Sequence, residues 1–214
     1  MYKYVDDKEF VSKMRNLCGN IMQDLCHTLK TEHSIGANFF MVGSGARRLI
    51  TQNASQPVDL DYNLEILKCA DFDDCRDIKE KVQQAFDTVL KGYNLRTCQD
   101  STSSLTTFPI CFTKENSPAF SMDVCIIVTD SRGNCYRLIH EKHGCRSWDQ
   151  YYWCEAKNSG NLPKKISAIK SAGYWEDVRM QYRDIKNMYL RSGDHDHPSF
   201  ICYIEAVNNV YNSL

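Results

Sequence analysis

Two aspartates separated by one residue stand in a segment that has the alternation of a strand with one buried face. Asp59 and Asp61 alternate with apolar side chains between Val58 and Leu64. Residues two apart on a strand point to the same side, about 6.6 Å apart along the chain. Two carboxylates so placed repel each other unless a cation lies between them, and carboxylate oxygens are preferred ligands of Mg²⁺. The spacing therefore predicts a divalent metal site; the alternative is the exposed polar face of an edge strand.

A third aspartate interrupts the apolar segment from Ala119 to Val128, which is otherwise suited to a central strand. Because a buried carboxylate without a partner is costly, Asp123 needs a cation nearby. If its strand lies beside that of Asp59 and Asp61, it supplies a third carboxylate to one site. The alternative is a salt bridge to a lysine or arginine. A pair of Mg²⁺ ions, about 3.5 to 4 Å apart, could hold both the attacking and the leaving oxygen of a phosphoryl transfer.

A glycine-rich turn precedes these aspartates, with the sequence Gly43-Ser44-Gly45-Ala46-Arg47-Arg48. Glycine lets backbone amides approach a phosphate closely, a helix N-terminus favours an anion, and a serine hydroxyl can donate a hydrogen bond. The turn is therefore predicted to bind a nucleoside triphosphate. Gly-Ser-Gly after a strand is also a common plain turn, and the Gly-Lys-Ser/Thr ending of an ATPase P-loop is absent here.

Hydrophobic periodicity predicts the elements that must position these residues. The predicted order is a helix (7–29), a strand (37–42), a short helix (46–52), a strand (58–64), a helix (73–92), three strands (105–113, 119–129 and 135–140), a segment of loop or short helices (144–160), and helices from 163 to 214. This order predicts an α+β fold with a C-terminal helical part. We expect a catalytic core over residues 1–143 and a helical region over 144–214 that packs on it.

Composition limits the classes of partner and location. Formal net charge is −1, so no overall positive field gathers a long polyanion. The chain carries 11 cysteines, an odd number, and no leader pattern, which predicts reduced thiols and a cytoplasmic location. No apolar run approaches the roughly 20 residues that span a bilayer, so no membrane association is expected.

These motifs occur in a recognisable order along the chain: Val42-Gly43-Ser44, then a short helix, then Val58-Asp59-Leu60-Asp61-Tyr62, and later Met122-Asp123-Val124. The order resembles the signature of the DNA polymerase β-like nucleotidyltransferase superfamily. The resemblance covers roughly residues 37 to 129. Gly43-Ser44-x-Ala46-Arg47 is also similar to the loop of the minimal and antibiotic nucleotidyltransferases, although Arg48 stands where a small residue is common.

The resemblance implies a mixed β-sheet flanked by helices and a magnesium-dependent transfer of a nucleoside monophosphate. An acceptor hydroxyl would attack the α-phosphorus of a nucleoside triphosphate and release pyrophosphate. Asp59 and Asp61 would bind two Mg²⁺ ions, for which Mn²⁺ could substitute. Asp123 would hold the catalytic ion and could accept the proton of the acceptor. The acceptor stays open between a small molecule, a protein side chain and an RNA end, as do a protein or RNA partner and the oligomeric state.

Two lysines past the core are further candidates for phosphate binding. Lys164 and Lys165 stand at the start of a predicted helix, from which they could reach the β- and γ-phosphates. We assign Lys165 to nucleotide binding together with Gly43, Ser44 and Arg47. The alternative for either lysine is a solvated helix end.

A second metal site is a separate hypothesis. His140, His143 and Cys145, with Cys154 nearby, have the side chains that zinc prefers. Their spacing fits no established zinc motif. Zinc binding at these residues is therefore left open.

Two other functions fit part of the sequence. A glycosyltransferase also uses an Asp-x-Asp pair to hold a metal and a nucleotide diphosphate, but it leaves the Gly-Ser turn and Asp123 without a role. A non-catalytic module of the same fold, such as half of a toxin–antitoxin pair, has no physical reason to keep three acids in its strands.

Overall fold

The computed structural model describes residues 1–113, 118–156, 161–194 and 197–214. Outside them lie His195, for which the sequence suggests a polar interhelical loop, and residues 157–160 of the predicted loop segment. The elements are β1 (Tyr2–Tyr4), α1 (Lys8–Glu32), β2 (Gly36–Met41), α2 (Gly43–Arg47), β3 (Thr51–Asn53), β4 (Val58–Lys68), α3 (Cys75–Gly92), β5 (Gln99–Asp100), β6 (Leu105–Thr106), β7 (Phe120–Thr129), β8 (Cys135–Glu141), β9 (Gln150–Glu155), α4 (Leu162–Ser171), α5 (Trp175–Arg191) and α6 (Ser199–Tyr211).

The first helix forms as its apolar stripe predicts. Asp7 caps α1, since its carboxylate accepts a hydrogen bond of 2.9 Å from the backbone N–H of Phe10. The buried face of α1 repeats at helical spacing, and its members are Phe10, Met14, Cys18, Ile21, Met22, Leu25 and Leu29. The helix continues one turn past the predicted end.

The main sheet is mixed. Its strands follow the order β2-β4-β7-β6-β5, and β8 pairs with both β7 and β9. The strands β4 and β7 are parallel, whereas the other pairs of this sheet are antiparallel. Strand β4 buries every second side chain from Val58 to Ile66. The predicted α+β fold with a mixed sheet flanked by helices is therefore confirmed.

The short helix after the glycine turn begins earlier than predicted. It spans Gly43–Arg47 rather than 46–52, and Thr51–Asn53 forms a strand that pairs with Tyr2–Tyr4. Arg48 has a φ of 60°, which lies outside the helical region and ends α2. No apolar periodicity marks this early end.

The segment predicted as loop or short helices contains a strand instead. Gln150–Glu155 forms β9, which pairs antiparallel with β8. Aromatic residues occupy both faces of this strand, so its sequence lacks the alternation of a strand with one buried face. The predicted strand at 105–113, in contrast, is reduced to the two residues of β6 and an isolated bridge at Ile110.

The chain forms two compact units. The larger comprises Asp7–Ala46 and Pro57–Ala156, and contains the mixed sheet with α1 and α3. The smaller comprises Met1–Asp6, Arg47–Gln56 and Lys157–Leu214. Its core is apolar and consists of Leu49, Leu162, Ile169, Val178, Tyr182, Ile185, Cys202, Tyr203, Ala206, Val207 and Val210. The predicted division into domains at 1–143 and 144–214 stays a prediction.

Candidate active site

Two neighbouring parallel strands bring the three aspartates onto one face of the sheet. Asp61 on β4 is in register with Asp123 on β7, and Asp59 is in register with Ser121. Residues in register on neighbouring strands share a face, and so do residues two apart on one strand. The opposite face of β4 carries buried apolar side chains. The sheet thus places Asp59, Asp61 and Asp123 side by side, with Asp59 exposed and the other two half-buried.

Hydroxyl groups hold two of the three carboxylates. Ser121 Oγ donates a hydrogen bond to Asp59 Oδ1, across the β4–β7 pair. Thr106 Oγ1 donates a hydrogen bond to Asp123 Oδ1 from the other side of β7, where Thr106 and Asp123 are in register. Both donors are neutral, so they orient the carboxylates without cancelling their charge. No motif in the sequence distinguishes either hydroxyl.

Gly43 lies directly against the carboxylate of Asp61. A Cβ added at this position would collide with the carboxylate of Asp61, and the φ of Gly43 is 62°. Backbone geometry and the space available therefore both call for glycine here. The main chain reinforces the contact, since Val42 N–H donates to the carbonyl oxygen of Asp61 at 2.8 Å. The glycine turn and the Asp-x-Asp strand form one local unit.

The second glycine of the turn has a packing role. Gly45 is buried, and an added Cβ would lie 2.8 Å from Met41 Sδ and 2.9 Å from Leu60 Cδ2. Arg15 on α1 donates a hydrogen bond to the carbonyl oxygen of Gly45. Ser44 between the glycines is half-buried. Binding of phosphate by Gly43 and Ser44 stays a prediction, because the structure explains both glycines by packing.

The environment of Asp123 disfavours its ionised form when no cation is present. Burial raises the pKa of this carboxyl, and the nearby charge of Asp59 raises it further. Hydrogen bonds from Thr106 and Ser104 lower the pKa, and so oppose this shift. A carboxylate that is partly desolvated beside a like charge is stabilised by a cation. This agrees with the requirement for a cation that the sequence predicts.

The three carboxylates form a set of oxygen donors that fits Mg²⁺. Among the residues that the structure describes, no three His, Cys, Asp or Glu side chains converge closely enough to enclose a metal by themselves. Mg²⁺ usually keeps several waters and binds one or two carboxylates plus substrate phosphates, so a closed protein cage is not required. An all-oxygen donor set on one open face suits this hard cation.

The other two predicted nucleotide-binding residues belong to the smaller unit. The guanidinium of Arg47 lies 4.6 Å from the ring centroid of Tyr203 and 5.9 Å from that of Phe200. Lys165 Nζ donates a hydrogen bond of 2.7 Å to Asn208 Oδ1. Each cation therefore has partners within its own unit. Their roles in nucleotide binding stay predictions.

The histidines and cysteines considered for zinc do not form a metal cluster in the described part of the chain. His140 is buried, and its ring nitrogens lie 2.6 Å from Asp100 Oδ2 and 3.1 Å from Asp149 Oδ2. His143 Nε2 lies 3.7 Å from Glu141 Oε1. Cys145 and Cys154 are exposed. The ring of His140 thus contacts two carboxylates, and it forms no metal cluster with the other three residues.

Comparison with known proteins identifies the fold. No protein-family model matches the sequence, and no curated protein matches it significantly. Solved structures do match. CdnC of E. coli MS115-1 with ATP has 13% identity and a TM-score of 0.58, over 94% of this chain and 61% of that one. The chain therefore spans about three fifths of the length of CdnC.

Two further solved structures are similar. The CdnE cyclic dinucleotide synthase of Elizabethkingia meningoseptica, with GTP and Apcpp, has 13% identity and a TM-score of 0.51, over 91% of this chain and 69% of that one. The DncV cyclic AMP-GMP synthase of Vibrio cholerae, with a linear intermediate, has 10% identity and a TM-score of 0.52, over 83% and 61%. The chain has the nucleotidyltransferase fold, and the predicted resemblance is confirmed at the level of the fold.

Proposed function

We propose that the chain is a metal-dependent nucleotidyltransferase, which transfers a nucleoside monophosphate from a nucleoside triphosphate to an acceptor hydroxyl and releases pyrophosphate. One observation carries the proposal: Asp61 and Asp123 are in register on parallel strands, and Asp59 stands on the same face. The fold, which is that of proteins solved with ATP and with GTP, gives independent support.

Each residue of the site has a distinct role in the proposed reaction. Asp59 and Asp61 would hold two Mg²⁺ ions, with Mn²⁺ as a substitute, and Asp123 would hold the catalytic ion. These ions would neutralise the charge on the phosphates and on the attacking and leaving oxygens. Gly43 gives the carboxylate of Asp61 the room it occupies. Gly43, Ser44, Arg47 and Lys165 are our candidates for contacts with the triphosphate.

The acceptor that we propose is the ribose hydroxyl of a second nucleotide. CdnE and DncV are described as a cyclic dinucleotide synthase and a cyclic AMP-GMP synthase. Near-neutral net charge also disfavours a long nucleic acid. A small molecule, a protein side chain and an RNA end are the other acceptors to test.

A cytoplasmic location is part of the proposal. All 11 cysteines are free, which suits a reducing compartment. In the described part of the chain, no helix is long and apolar enough to cross a bilayer. A protein or RNA partner and the oligomeric state stay open.

The two competing functions receive less support. A glycosyltransferase would use Asp59 and Asp61, but it gives no reason for Asp123 to stand in register with Asp61. A non-catalytic module would gain stability by losing an acid that burial and a like charge disfavour, as they do at Asp123. The retained triad therefore favours catalysis.

A nucleotide transfer assay tests the proposal. Purified protein is incubated with each labelled nucleoside triphosphate, singly and in pairs, with Mg²⁺ or Mn²⁺. We expect pyrophosphate release and a nucleotide-linked product, both abolished by EDTA. Asp59→Asn and Asp61→Asn should lower the rate by at least about 100-fold, since charge stabilisation of this kind is worth that much or more.

The control is Asp24→Asn, because Asp24 is an exposed acid on α1 whose carboxylate accepts a hydrogen bond from Tyr93. Its rate should match that of the wild type. Absence of metal-dependent transfer with every nucleotide pair, or equal rates in Asp59→Asn and Asp24→Asn, would contradict the proposal. Binding of a nucleotide sugar in preference to a triphosphate would favour the glycosyltransferase.

A further inference from the structure

Two hydroxyl groups on a short hairpin contact the carboxylate of Asp123. Strands β5 and β6 form the hairpin, and β6 pairs with β7 at Asp123. Thr106 Oγ1 donates to Asp123 Oδ1, and Ser104 Oγ lies 3.4 Å from Thr106 Oγ1. A carboxylate at a metal site binds well only when its rotation is fixed. The hairpin fixes it from the side of β7 opposite to Asp61.

The residue that follows β6 faces the other way. Thr107 is buried, and its Oγ1 accepts a hydrogen bond of 2.9 Å from the backbone N–H of Met122. Thr106 and Thr107 therefore have the same side chain and adjacent positions, but opposite orientations. Of these two threonines, Thr106 alone contacts Asp123. This pair separates a role at the site from a role in folding.

A buried ion pair and two hydrogen bonds link the hairpin to α3 and β8. Lys79 on α3 is 2% exposed, and its Nζ lies 3.1 Å from Asp100 Oδ1 and 3.3 Å from the carbonyl oxygen of Ser101. The backbone N–H of His140 donates to the carbonyl oxygen of Thr102 at 2.7 Å. Burial of charged groups lowers the free energy of unfolding unless they are well paired. We therefore expect such a network beside a hairpin of two-residue strands only where the position of the hairpin has a role.

We propose that Thr106 is a positioning residue that orients Asp123 toward the metal ion of the nucleotidyltransferase site. The inference rests on the proposed function, because it assumes that Asp123 binds a metal. Ser104 contacts both the hydroxyl of Thr106 and the carboxyl of Asp123. Lys79 and His140 hold the hairpin that carries Thr106 and Ser104. Thr106 acts through Asp123 and contacts no substrate in this scheme.

Metal affinity tests the proposal without relying on turnover. Binding of Mn²⁺ is measured by electron paramagnetic resonance on the whole chain, with a non-hydrolysable triphosphate present. Thr106→Val should weaken Mn²⁺ binding by about 10-fold or more, as the loss of a partner that orients a ligand usually does. Thr106→Ser keeps the hydroxyl and should bind Mn²⁺ like the wild type.

The matched control is Thr107→Val. It should lower the melting temperature, because the buried N–H of Met122 loses its acceptor, while Mn²⁺ affinity stays unchanged. Mn²⁺ affinity in Thr106→Val equal to that of the wild type would overturn the proposal, and so would equal losses in Thr106→Val and Thr107→Val. If Thr106→Val does not fold, Thr106→Ala gives the same comparison.

The two proposals fail in different ways. Loss of Mn²⁺ binding in Asp123→Asn, with wild-type binding in Thr106→Val, would remove the positioning role and leave the proposed function standing. If Mn²⁺ binds to Asp59→Asn, Asp61→Asn and Asp123→Asn as tightly as to the wild type, the three aspartates do not form a metal site. Both proposals then fail.

Discussion

The carboxyl of Asp123 is kept at the site at a cost to stability. Burial raises its pKa, and the charge of Asp59 adds to this effect. The folded chain therefore binds this proton more tightly than the unfolded chain does, so ionisation destabilises the fold as the pH rises. An acid with this environment is expected where function, rather than stability, selects the residue.

We therefore predict that Asp123→Asn stabilises the metal-free protein at neutral pH while it abolishes transfer. The melting temperature in EDTA should rise by about 2–4 °C for each kcal/mol gained. The gain should shrink as the pH falls below the raised pKa of Asp123, because the wild-type carboxyl then becomes neutral. Thermal melts from pH 4 to pH 8 measure it.

Asp130→Asn is the control of opposite sign. Hydrogen bonds, first of all from the side chain of Asn134, lower the pKa of Asp130. Its ionised form therefore stabilises the turn above its ordinary pKa, and the substitution should lower the melting temperature at neutral pH. A drop in both variants would show that Asp123 is a structural acid.

Substitution of Gly43 should displace the carboxylate of Asp61. Gly43→Ala puts a methyl group against the Asp61 carboxylate at a φ of 62°. The backbone strain costs about 1–2 kcal/mol, and the displaced carboxylate should lower kcat/KM by about 100-fold. Steady-state kinetics and a thermal melt measure the two effects.

Gly19 provides the matched control, because it lies inside α1 and an added Cβ meets no atom within 4 Å. Gly19→Ala should leave kcat/KM unchanged and raise stability by about 0.5–1 kcal/mol, since alanine favours a helix. A fully active Gly43→Ala protein would mean that Asp61 has room that the structure does not give it.

At the scale of elements, the hairpin formed by Gln99–Asp100 and Leu105–Thr106 depends on a buried lysine. Lys79 contacts Asp100 Oδ1 at 3.1 Å, and burial lowers its pKa. Removal of one partner of a buried ion pair leaves the other charge uncompensated. Asp100 keeps a contact with His140 of 2.6 Å, so part of its compensation survives.

We predict that Lys79→Met lowers the free energy of unfolding by about 2–3 kcal/mol, below the full cost of a broken buried pair because of this surviving contact. Amide hydrogen exchange should rise first at residues 99–106. Chemical denaturation and exchange measurements together test both parts.

Lys81→Met is the control on the same helix. Lys81 Nζ lies 2.5 Å from Asp77 Oδ2 in a pair four residues apart, and its side chain is 33% exposed. Loss of that pair should cost at most about 0.5 kcal/mol. Similar losses in Lys79→Met and Lys81→Met would show that the buried contact does not anchor the hairpin.

How much the sequence predicts depends on whether the signal is local. The alternation from Val58 to Leu64 predicts that Asp59 and Asp61 share a face, because side-chain direction in a strand is set by neighbouring residues. The register of Asp61 with Asp123 joins strands separated by a helix and a hairpin. No local pattern fixes such a register, so the sequence alone does not predict that Asp123 lies beside Asp61.

The supporting hydroxyls illustrate what a sequence alone conceals. Residues 101–107 contain Ser101, Thr102, Ser103, Ser104, Thr106 and Thr107, and nothing in their order distinguishes Thr106 from the rest. Ser121 has a better signal, since it stands two residues before Asp123 on the same predicted strand. The early end of α2 also has no sequence signal, because it depends on the φ of Arg48.

On the scale of the whole molecule, net charge distinguishes the candidate acceptors. The chain has 26 basic and 27 acidic residues, so its overall electrostatic field does not attract a polyanion. A protein that neutralises many phosphates releases counterions, and its affinity therefore falls steeply as salt rises. A nucleotide acceptor offers few phosphates, and its binding should respond weakly.

We predict that the KM for the acceptor rises by less than about 10-fold between 50 and 200 mM KCl, whereas six to ten phosphate contacts to a polymer would lose about 10³–10⁵ in affinity over that range. The measurement is a steady-state titration at constant free Mg²⁺, with a mononucleotide and with a single-stranded RNA as acceptors. Thermal melts at each salt concentration control for changes in folding. Efficient transfer to the RNA with a steep salt dependence would replace the nucleotide acceptor by a polymer, because an almost neutral chain can bind a polyanion only through a locally basic surface that salt screens.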